Sequence, residues 1–362
     1  MRVTLTSPRR RPAHLATFDA PEGVDSKLLK LTGNGEELVA ERDPGEGVYH
    51  VHAPAVAPGE PVSYELEAID SAGPATSIGV EHGDSEVVIS LSDSPLMTFK
   101  YGDDVVKPTI NPILTPGGTN MLREPMDAWT EGEHPWQRGL TLMQGAINGI
   151  DCWNEKTIET HGRTEQDSIN IDHGPVSLAI SSENSWYCGD DRLMTDHRTY
   201  RLFDTARDAA VLDISLALKA SEGAVTIGDT KEGGFLCIRV NPTMNASDGG
   251  TMQNAYGAAD EKGCWSFPSH WMDYYGPVGG ETAGFAIFDH PRNFRYPTTW
   301  HVRGYGLFAP NCWMFKPDHQ LAAREELTFR WRITIHTGDT KKAQIADRFL
   351  DYVDGLRLAA EE

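Results

Sequence analysis

The chain has 362 residues, 39% of them hydrophobic and 23% charged, and a net charge of -21. This size suits one large β domain with an appended module, or two domains, and the composition is that of a globular protein. A uniformly acidic chain repels phosphate backbones, which argues against nucleic acid as a partner, and no apolar run reaches the about 18 to 20 residues of a membrane span.

The N-terminus, "MRVTLTSPRRRPAHLATFDAPEG", carries an arginine triplet with neither an apolar h-region nor a small-residue cleavage site after it. It predicts an untargeted start and a cytoplasmic location. Within residues 1–100, short alternating runs such as "GVYHVHAPAV" (47–56) and "PVSYELEAID" (61–70) are split by Gly, Pro and Asp. They predict antiparallel strands of a smaller N-terminal β-sandwich-like region. His50 and His52 share a strand face there, a pair that can bind a metal, but no third ligand stands nearby.

Composition changes near residue 100. All nine tryptophans lie at or after Trp129, and all five cysteines at or after Cys152. The stretch "LSDSPLMTFKYGDDVVKP" (91–108) reads as the junction, or as a strand entering the main sheet. A main domain over 101–362 follows. The cysteines are odd in number, widely spaced and free of any Cys-x-x-Cys, which predicts buried free thiols rather than a disulfide framework or a zinc ribbon.

Strand patterns continue through "AAVLDISLALKA" (209–220), "AVTIGD" (224–229) and "LTFRWRITIHTG" (327–338). In the last, Phe329, Trp331, Ile333 and Ile335 fall on one face, and Arg330, Arg332, Thr334 and His336 on the other. The tail predicts a helix over 340–356, capped by Asp339 or Thr340, with Ile345, Ala346, Phe349 and Val353 as its apolar stripe. The predicted fold is mostly β: a large two-sheet antiparallel β-sandwich with a smaller N-terminal β region and a C-terminal helix.

Gly-x-Gly-x-x-Gly after a strand, the Walker loop, the Gly-x-Ser-x-Gly elbow and His-Glu-x-x-His are all absent, which argues against nucleotide enzymes, serine hydrolases and zincins. Four clusters carry groups that a fold alone seldom demands. "EGEHPWQRGLTLMQG" (131–145) brings His134, Trp136, Gln137 and Arg138 to the mouth of a strand. "NGIDCWNEKTIETHGR" (148–163) carries Asn148, Asp151, Trp153, Glu155 and His161. "WMDYYGPVGGETAGFAIFDHPRN" (271–293) holds Asp273 and Tyr274, and its last strand ends in Asp289-His290, where side chains reach into loops. In "TTWHVRGYGLFAPN" (298–311), alternation puts Trp300 and Val302 on one face and His301, Arg303 and Tyr305 on the other. Rings that stack on sugar C–H faces and charged groups that bond hydroxyls suit a carbohydrate site. Glu155, Glu232, Asp273 and Asp289 are candidate carboxylates for glycoside cleavage, although Glu232 sits in a "DTKEGG" turn that explains it as a plain turn residue. His134, His161, His290 and His301 could meet Asp273 or Asp289 on a divalent metal.

The segments "NPILTPGGTNMLRE", "HPWQRGL", "NGIDCW", "GDTKEGGFLCIRV" and the run from Asp273 to Asn311 resemble a bacterial domain family of unknown function, over about residues 105 to 335. It is often labelled methane oxygenase PmoA (PmoA-like, DUF6807-type). The residues matching its motifs are His134, Arg138, Asp151, Trp153, Glu232, Asp273, Tyr274, Asp289, His290, Pro291, His301, Arg303 and Tyr305. A methane monooxygenase subunit spans a membrane, and this chain has no segment for that. The resemblance associates the chain with sugar catabolism. The family commonly reads Asp-His-Pro-His-His-Arg-Gly where this chain has Glu133-His134-Pro135-Trp136-Gln137-Arg138-Gly139. The departures at Trp136 and Gln137 favour sugar contact over metal ligation.

The expectation is a cytoplasmic carbohydrate-active enzyme on a sandwich of the galactose-mutarotase-like type, taking a small-molecule sugar or glycoside. It would need no cofactor beyond a possible divalent metal, and a homodimer is compatible. Trp136 or Trp153 would stack on the sugar, with Gln137, Arg138, Tyr274, Arg303 and Tyr305 as further substrate contacts. His134, His290 and His301, with Glu232, Asp273 or Asp289, would perform the acid and base steps of glycosidic cleavage by hydrolysis or elimination. Epimerisation or mutarotation is the enzymatic alternative, and a sugar-binding module the non-catalytic one.

Overall fold

The computed structural model describes residues 2–7, 10, 12–43, 45–55, 57–58, 60–75, 77–102, 105–124, 134–155 and 160–359. Residues 131–133 and 156–159, which belong to two of the sequence clusters, lie outside the described residues.

Six short strands open the chain: β1 (Arg2–Thr6), β2 (His14–Asp19), β3 (Leu28–Gly33), β4 (Glu36–Asp43), β5 (Val48–Ala53) and β6 (Val62–Ile69). They form one antiparallel sheet in the order β2-β5-β4-β3-β6-β1, and a last strand, Arg357–Ala359, pairs with β1 from the far end of the chain. Alternation explains the sheet. Val3, Leu5, Phe18, Leu29, Leu31, Tyr49, Val51 and Tyr64 gather in a small core of their own.

The next five strands are β7 (Ile78–His82), β8 (Glu86–Leu91), β9 (Ser94–Lys100), β10 (Thr109–Ile113) and β11 (Leu140–Met143). Four long strands follow: β12 (Gly162–His173), β13 (Ser177–Cys188), β14 (Asp191–Phe203) and β15 (Ala209–Lys219). The rest of the main region is β16 (Val225–Ile227), β17 (Phe235–Arg239), β18 (Thr251–Asn254), helix α1 (Asp260–Cys264), β19 (Trp271–Val278), β20 (Glu281–Asp289), β21 (Trp300–Val302), β22 (Leu307–Pro310), β23 (His319–Leu321), β24 (Glu326–Thr337) and helix α2 (Ile345–Val353). Two eight-stranded antiparallel sheets result, β21-β22-β17-β11-β10-β9-β8-β7 and β12-β13-β14-β15-β24-β20-β19-β18. The stretch at 91–108 runs into the first of them, because β9 pairs with β8 on one side and β10 on the other.

The two sheets face each other across one core. Its members obey the two-residue period: Leu236 and Ile238 of β17, Trp300 and Val302 of β21, and Phe329, Trp331, Ile333 and Ile335 of β24, the face the sequence predicts. Each such side chain contributes about 1.5–3 kcal/mol when fully buried. Its opposite face carries Arg332, bidentate to Asp213 at 2.6 and 2.8 Å, and His336, bonded to Asp273 at 2.9 Å.

The tail helix is shorter than predicted. It begins at Ile345, with Gln344 at its N-cap in the left-handed region. Asp339 instead caps the preceding turn through the Lys342 N–H, at 2.7 Å, and the Thr340 hydroxyl donates to Asp273. Ile345 and Phe349 pack on Trp271, Ala286 and Phe288 as expected, but Ala346 faces solvent and Ala343 takes its place in the contact. The five cysteines are free, four of them buried. Among the described residues no helix is long and apolar enough to cross a membrane.

Candidate functional site

Three segments meet at the outer face of the β21–β22 end of the first sheet. The first is the β21–β22 hairpin. Trp300 and Val302 point into the core, so His301 between them points out. A tight turn follows, with the Arg303 N–H bonded to Leu307 O at 2.8 Å and the Gly306 N–H to Arg303 O at 2.9 Å. It presents Arg303 and Tyr305 beside His301. Tyr274 braces this turn from inside the sandwich, its hydroxyl donating to Gly304 O at 3.3 Å.

The second segment is "DTKEGG". Gly233 and Gly234 have φ of 112° and 115°, and a Cβ on Gly234 would lie 2.0 Å from Pro310 O. Only glycine lets the loop press this closely on the end of β22, and that contact seats Glu232 at the cleft. Its backbone is fixed on both sides, by its own N–H to Thr230 Oγ1 at 2.9 Å and by the Gly145 N–H to its carbonyl at 2.8 Å. The third segment is α1, whose Glu261 accepts from Arg303 Nη1 and from the Gly304 N–H, each at 2.7 Å.

Together with His134 these residues enclose a cleft of about 270 Å³. That is close to the lower end of small-molecule sites, about 300 Å³. Lys231, Arg303, Glu232 and Glu261 are among its lining groups, so the cleft is polar and of mixed charge. His134 stacks on Tyr305 with ring centroids 5.5 Å apart and planes 9° apart, and the Arg239 guanidinium lies over Tyr305 at 4.4 Å.

Burial moves the titrating groups in opposite directions. It pushes the Glu232 carboxyl above its ordinary value, with Asp151 adding to the shift and Lys231 and Arg303 opposing it. It pushes His301, 2% exposed, down to about 3, and Arg303 and Lys231 push the same way. At neutral pH His301 is therefore a neutral imidazole, and its Nδ1 is buried without a hydrogen-bond partner among the described residues. The Tyr305 hydroxyl is also raised by burial, against its hydrogen bond to Gln137 and the charge of Arg239.

Five of the residues singled out from the sequence thus converge: His134, Glu232, His301, Arg303 and Tyr305. A second group supports them from below. Trp136 and Trp153 are buried with Met143, Cys237, Leu307 and Ala309, beneath Tyr305, so neither presents the open ring face expected of a stacking surface. Gln137 accepts from Arg239 at 2.7 Å and fixes the guanidinium under Tyr305. Arg138 is bidentate to Glu155, at 2.6 and 2.9 Å from Oε2, and Lys107 bonds the same carboxylate at 3.2 Å, so Arg138 is engaged inside the protein instead of lining the cleft.

The remaining residues lie elsewhere. Asp273 is fully buried and accepts from Thr340 at 2.6 Å while contacting His336. Asp289 accepts from Asn293 Nδ2 at 2.7 Å and the Thr298 N–H at 2.9 Å, tying down the 290–298 loop, and burial raises it to about 7. His290 sits against Tyr352 in a different and larger cavity, between the N-terminal sheet and the second sandwich sheet, where burial lowers it to about 4. His161 does not line the cleft. Among the described residues no three His, Cys, Asp or Glu side chains gather as a metal would need. Sequence reasoning missed Lys231 and Glu261. Lys231 precedes Glu232 in a quoted turn, but Glu261 lies in a five-residue helix with no periodic signal.

Residues 86–349 match the model of a family of unknown function (DUF6807). That description carries no activity and lends no support to the methane-oxygenase label. No curated protein matches the chain. A protein in the glycosyl hydrolase family 38 from Enterococcus faecalis has a similar solved structure, with a TM-score of 0.49 and 9% identity over 100% of this chain and 47% of that one. The chain thus spans about half the length of that protein.

Proposed function

The chain belongs to this family of unknown function, so its activity has to be argued from the cleft, and we propose a carbohydrate-active enzyme that cleaves a glycosidic bond by acid–base catalysis. The observation that carries the reading is the pair of opposite shifts in one polar cleft: Glu232 held protonated to higher pH, His301 held neutral. A carboxyl kept protonated and an imidazole kept neutral leave one group able to donate a proton and the other able to accept a hydrogen bond.

Glu232 donates its proton to the leaving oxygen as the glycosidic bond breaks. Glu261, oriented by Arg303 and the Gly304 N–H, is the carboxylate that takes the balancing proton. In hydrolysis that proton comes from water attacking the anomeric carbon. In elimination it comes from the carbon adjacent to the one that loses the leaving group, and a C=C bond forms. Neutral His301 accepts a bond from a sugar hydroxyl, and the His134–Tyr305 stack forms a wall for the ring.

The test is a panel of disaccharides and 4-nitrophenyl glycosides incubated with the protein and followed by proton NMR. New reducing-end signals mark hydrolysis, olefinic protons mark elimination, and anomeric exchange without cleavage marks a mutarotase. Glu232→Gln is expected to lose about 10²–10⁴-fold in kcat, the usual scale of general acid catalysis. Cleavage that survives this substitution defeats the assignment, and sugar binding without turnover indicates a binding module.

A further inference from the structure

We propose that Phe315 is a stacking platform that extends the cleft and recognises the second ring or aryl group of a glycoside, the one next to the sugar ring held in the cleft. The inference rests on the carbohydrate reading of the cleft but not on catalysis.

Phe315 is unfavourably placed in both its backbone and its exposure. Its neighbours Trp313 and Met314 are fully buried, held by Asn311 Oδ1, which accepts from their two backbone N–H groups at 2.9 and 3.1 Å. The chain then turns outward, and Phe315 is 63% exposed. Its φ is 59°, in the left-handed region where glycine or asparagine is favoured and an aromatic residue is strained. A large apolar ring thus occupies a position unfavourable for both its backbone and its surface. Strain of this kind, where the surroundings enforce it, is a pointer to function.

The surroundings do enforce it, and they connect it to the cleft. The Phe315 N–H donates to Asp229 Oδ1 at 2.7 Å, and Asp229 begins the loop that carries Lys231 and Glu232. The ring meets Trp265 edge-on, with centroids 5.7 Å apart. Trp265 in turn lies under the Arg303 guanidinium, at 5.2 Å, and it stands one helical turn beyond Glu261. Phe315, Trp265, Arg303 and Glu261 form one continuous line from solvent into the cleft. The cleft, at about 270 Å³, has room for little more than one sugar ring, so a second ring of the substrate must lie outside it. The exposed Phe315 ring, joined through Trp265 to Arg303 of the cleft, offers the C–H/π and aromatic contact that a hexose or aryl group takes.

The experiment measures binding, and each titration is repeated in a Glu232→Gln background so that heat of turnover is not read as binding. The intact chain is titrated calorimetrically with 4-nitrophenyl glycosides and with methyl glycosides of the same sugars. Wild type is expected to bind the aryl member about tenfold more tightly, equivalent to about 1.4 kcal/mol. Phe315→Ala should abolish that preference and leave methyl glycoside binding within twofold, and Phe315→Tyr should retain it. Phe315→Gly should abolish it while raising Tm, because the left-handed backbone no longer carries a side chain. The platform is overturned if neither glycoside binds, if wild type shows no preference, if the preference survives Phe315→Ala, or if that substitution instead converts a dimer to a monomer by mass measurement. Aryl preference without cleavage defeats the catalytic reading and leaves the platform standing; cleavage without aryl preference defeats the platform alone.

Discussion

At the scale of single residues, the buried Asp289 and the half-buried Glu232 are both pushed up by loss of water, yet their partners give them different work. Asp289 has both oxygens satisfied by Asn293 and Thr298, 2.7 and 2.9 Å away, and faces no cleft. Glu232 has, among the described residues, Lys231 at 3.7 Å as its one ion-pair partner and opens on the cleft. Asp289→Ala is therefore expected to cost about 1–3 kcal/mol by leaving the Thr298 N–H unsatisfied, with kcat changed less than tenfold. Glu232→Gln should show the reverse: an unchanged Tm and a lost kcat. Thermal melts and single-turnover rates on the two variants check the pair, and equal effects on both quantities would sink the distinction. The pH dependence follows the same logic. An acid works only while protonated, so kcat/KM should fall on the alkaline side through the raised Glu232 value, above the ordinary about 4.3 of a glutamate. A profile that stays flat across that range excludes Glu232 as the acid. Asp289 makes its own contribution to stability. Its folded value of about 7 exceeds the unfolded one, so the folded state holds the extra proton and stability declines as pH rises through that interval.

At the scale of elements, the strands were legible and the turns were not. The two-residue period of β21 already separates Trp300 and Val302 from His301, and that of β24 separates its four core residues from Arg332 and His336. The period says which face a side chain takes, but not which strand lies beside it. Hence His290, at the end of one strand, could not be distinguished from His301 on another, although they face different cavities. The turns decide the site. "DTKEGG" reads as a plain hairpin turn, and what makes it more is the close approach of Gly234 to Pro310, a contact 76 residues away in sequence that no local pattern encodes. Gly234→Ala is therefore expected to destabilise the protein by about 1–3 kcal/mol, the usual cost of a strained backbone position, and to move Glu232 out of register with Glu261. Urea unfolding should show the loss, and kcat should fall at least tenfold under conditions where the variant remains folded. A folded variant with wild-type kcat would mean that the loop does not position the acid.

At the scale of the whole molecule, composition located a change near residue 100, but the pairing of β7, β8 and β9 with the larger sheet depends on long-range register that composition does not carry. The N-terminal sheet and the cleft occupy opposite outer faces of the sandwich. One fastening of the sheet to the second sandwich sheet is Glu41, buried at 1% exposure, beside the Asp43–Arg201 and Glu46–Arg330 pairs. The Glu41 carboxylate accepts from the Val176 N–H at 3.0 Å, the Ser177 N–H at 3.1 Å and the Ser177 hydroxyl at 3.0 Å, and it pairs with Arg201 at 3.2 Å. Removing one member of such a network leaves the others buried and unpaired, so Glu41→Ala should cost about 3–5 kcal/mol at that junction. The junction and the cleft share no side chain, so energies at the two should add independently. Hydrogen exchange is then expected to rise across residues 2–69 and at Val176 and Ser177, while protection at β17, β21 and β22 and the kcat of the cleft stay within twofold. If loss of Glu41 instead loosens the β21–β22 hairpin or lowers kcat in proportion, the N-terminal sheet is part of the catalytic unit, and the separation drawn from the two faces is wrong.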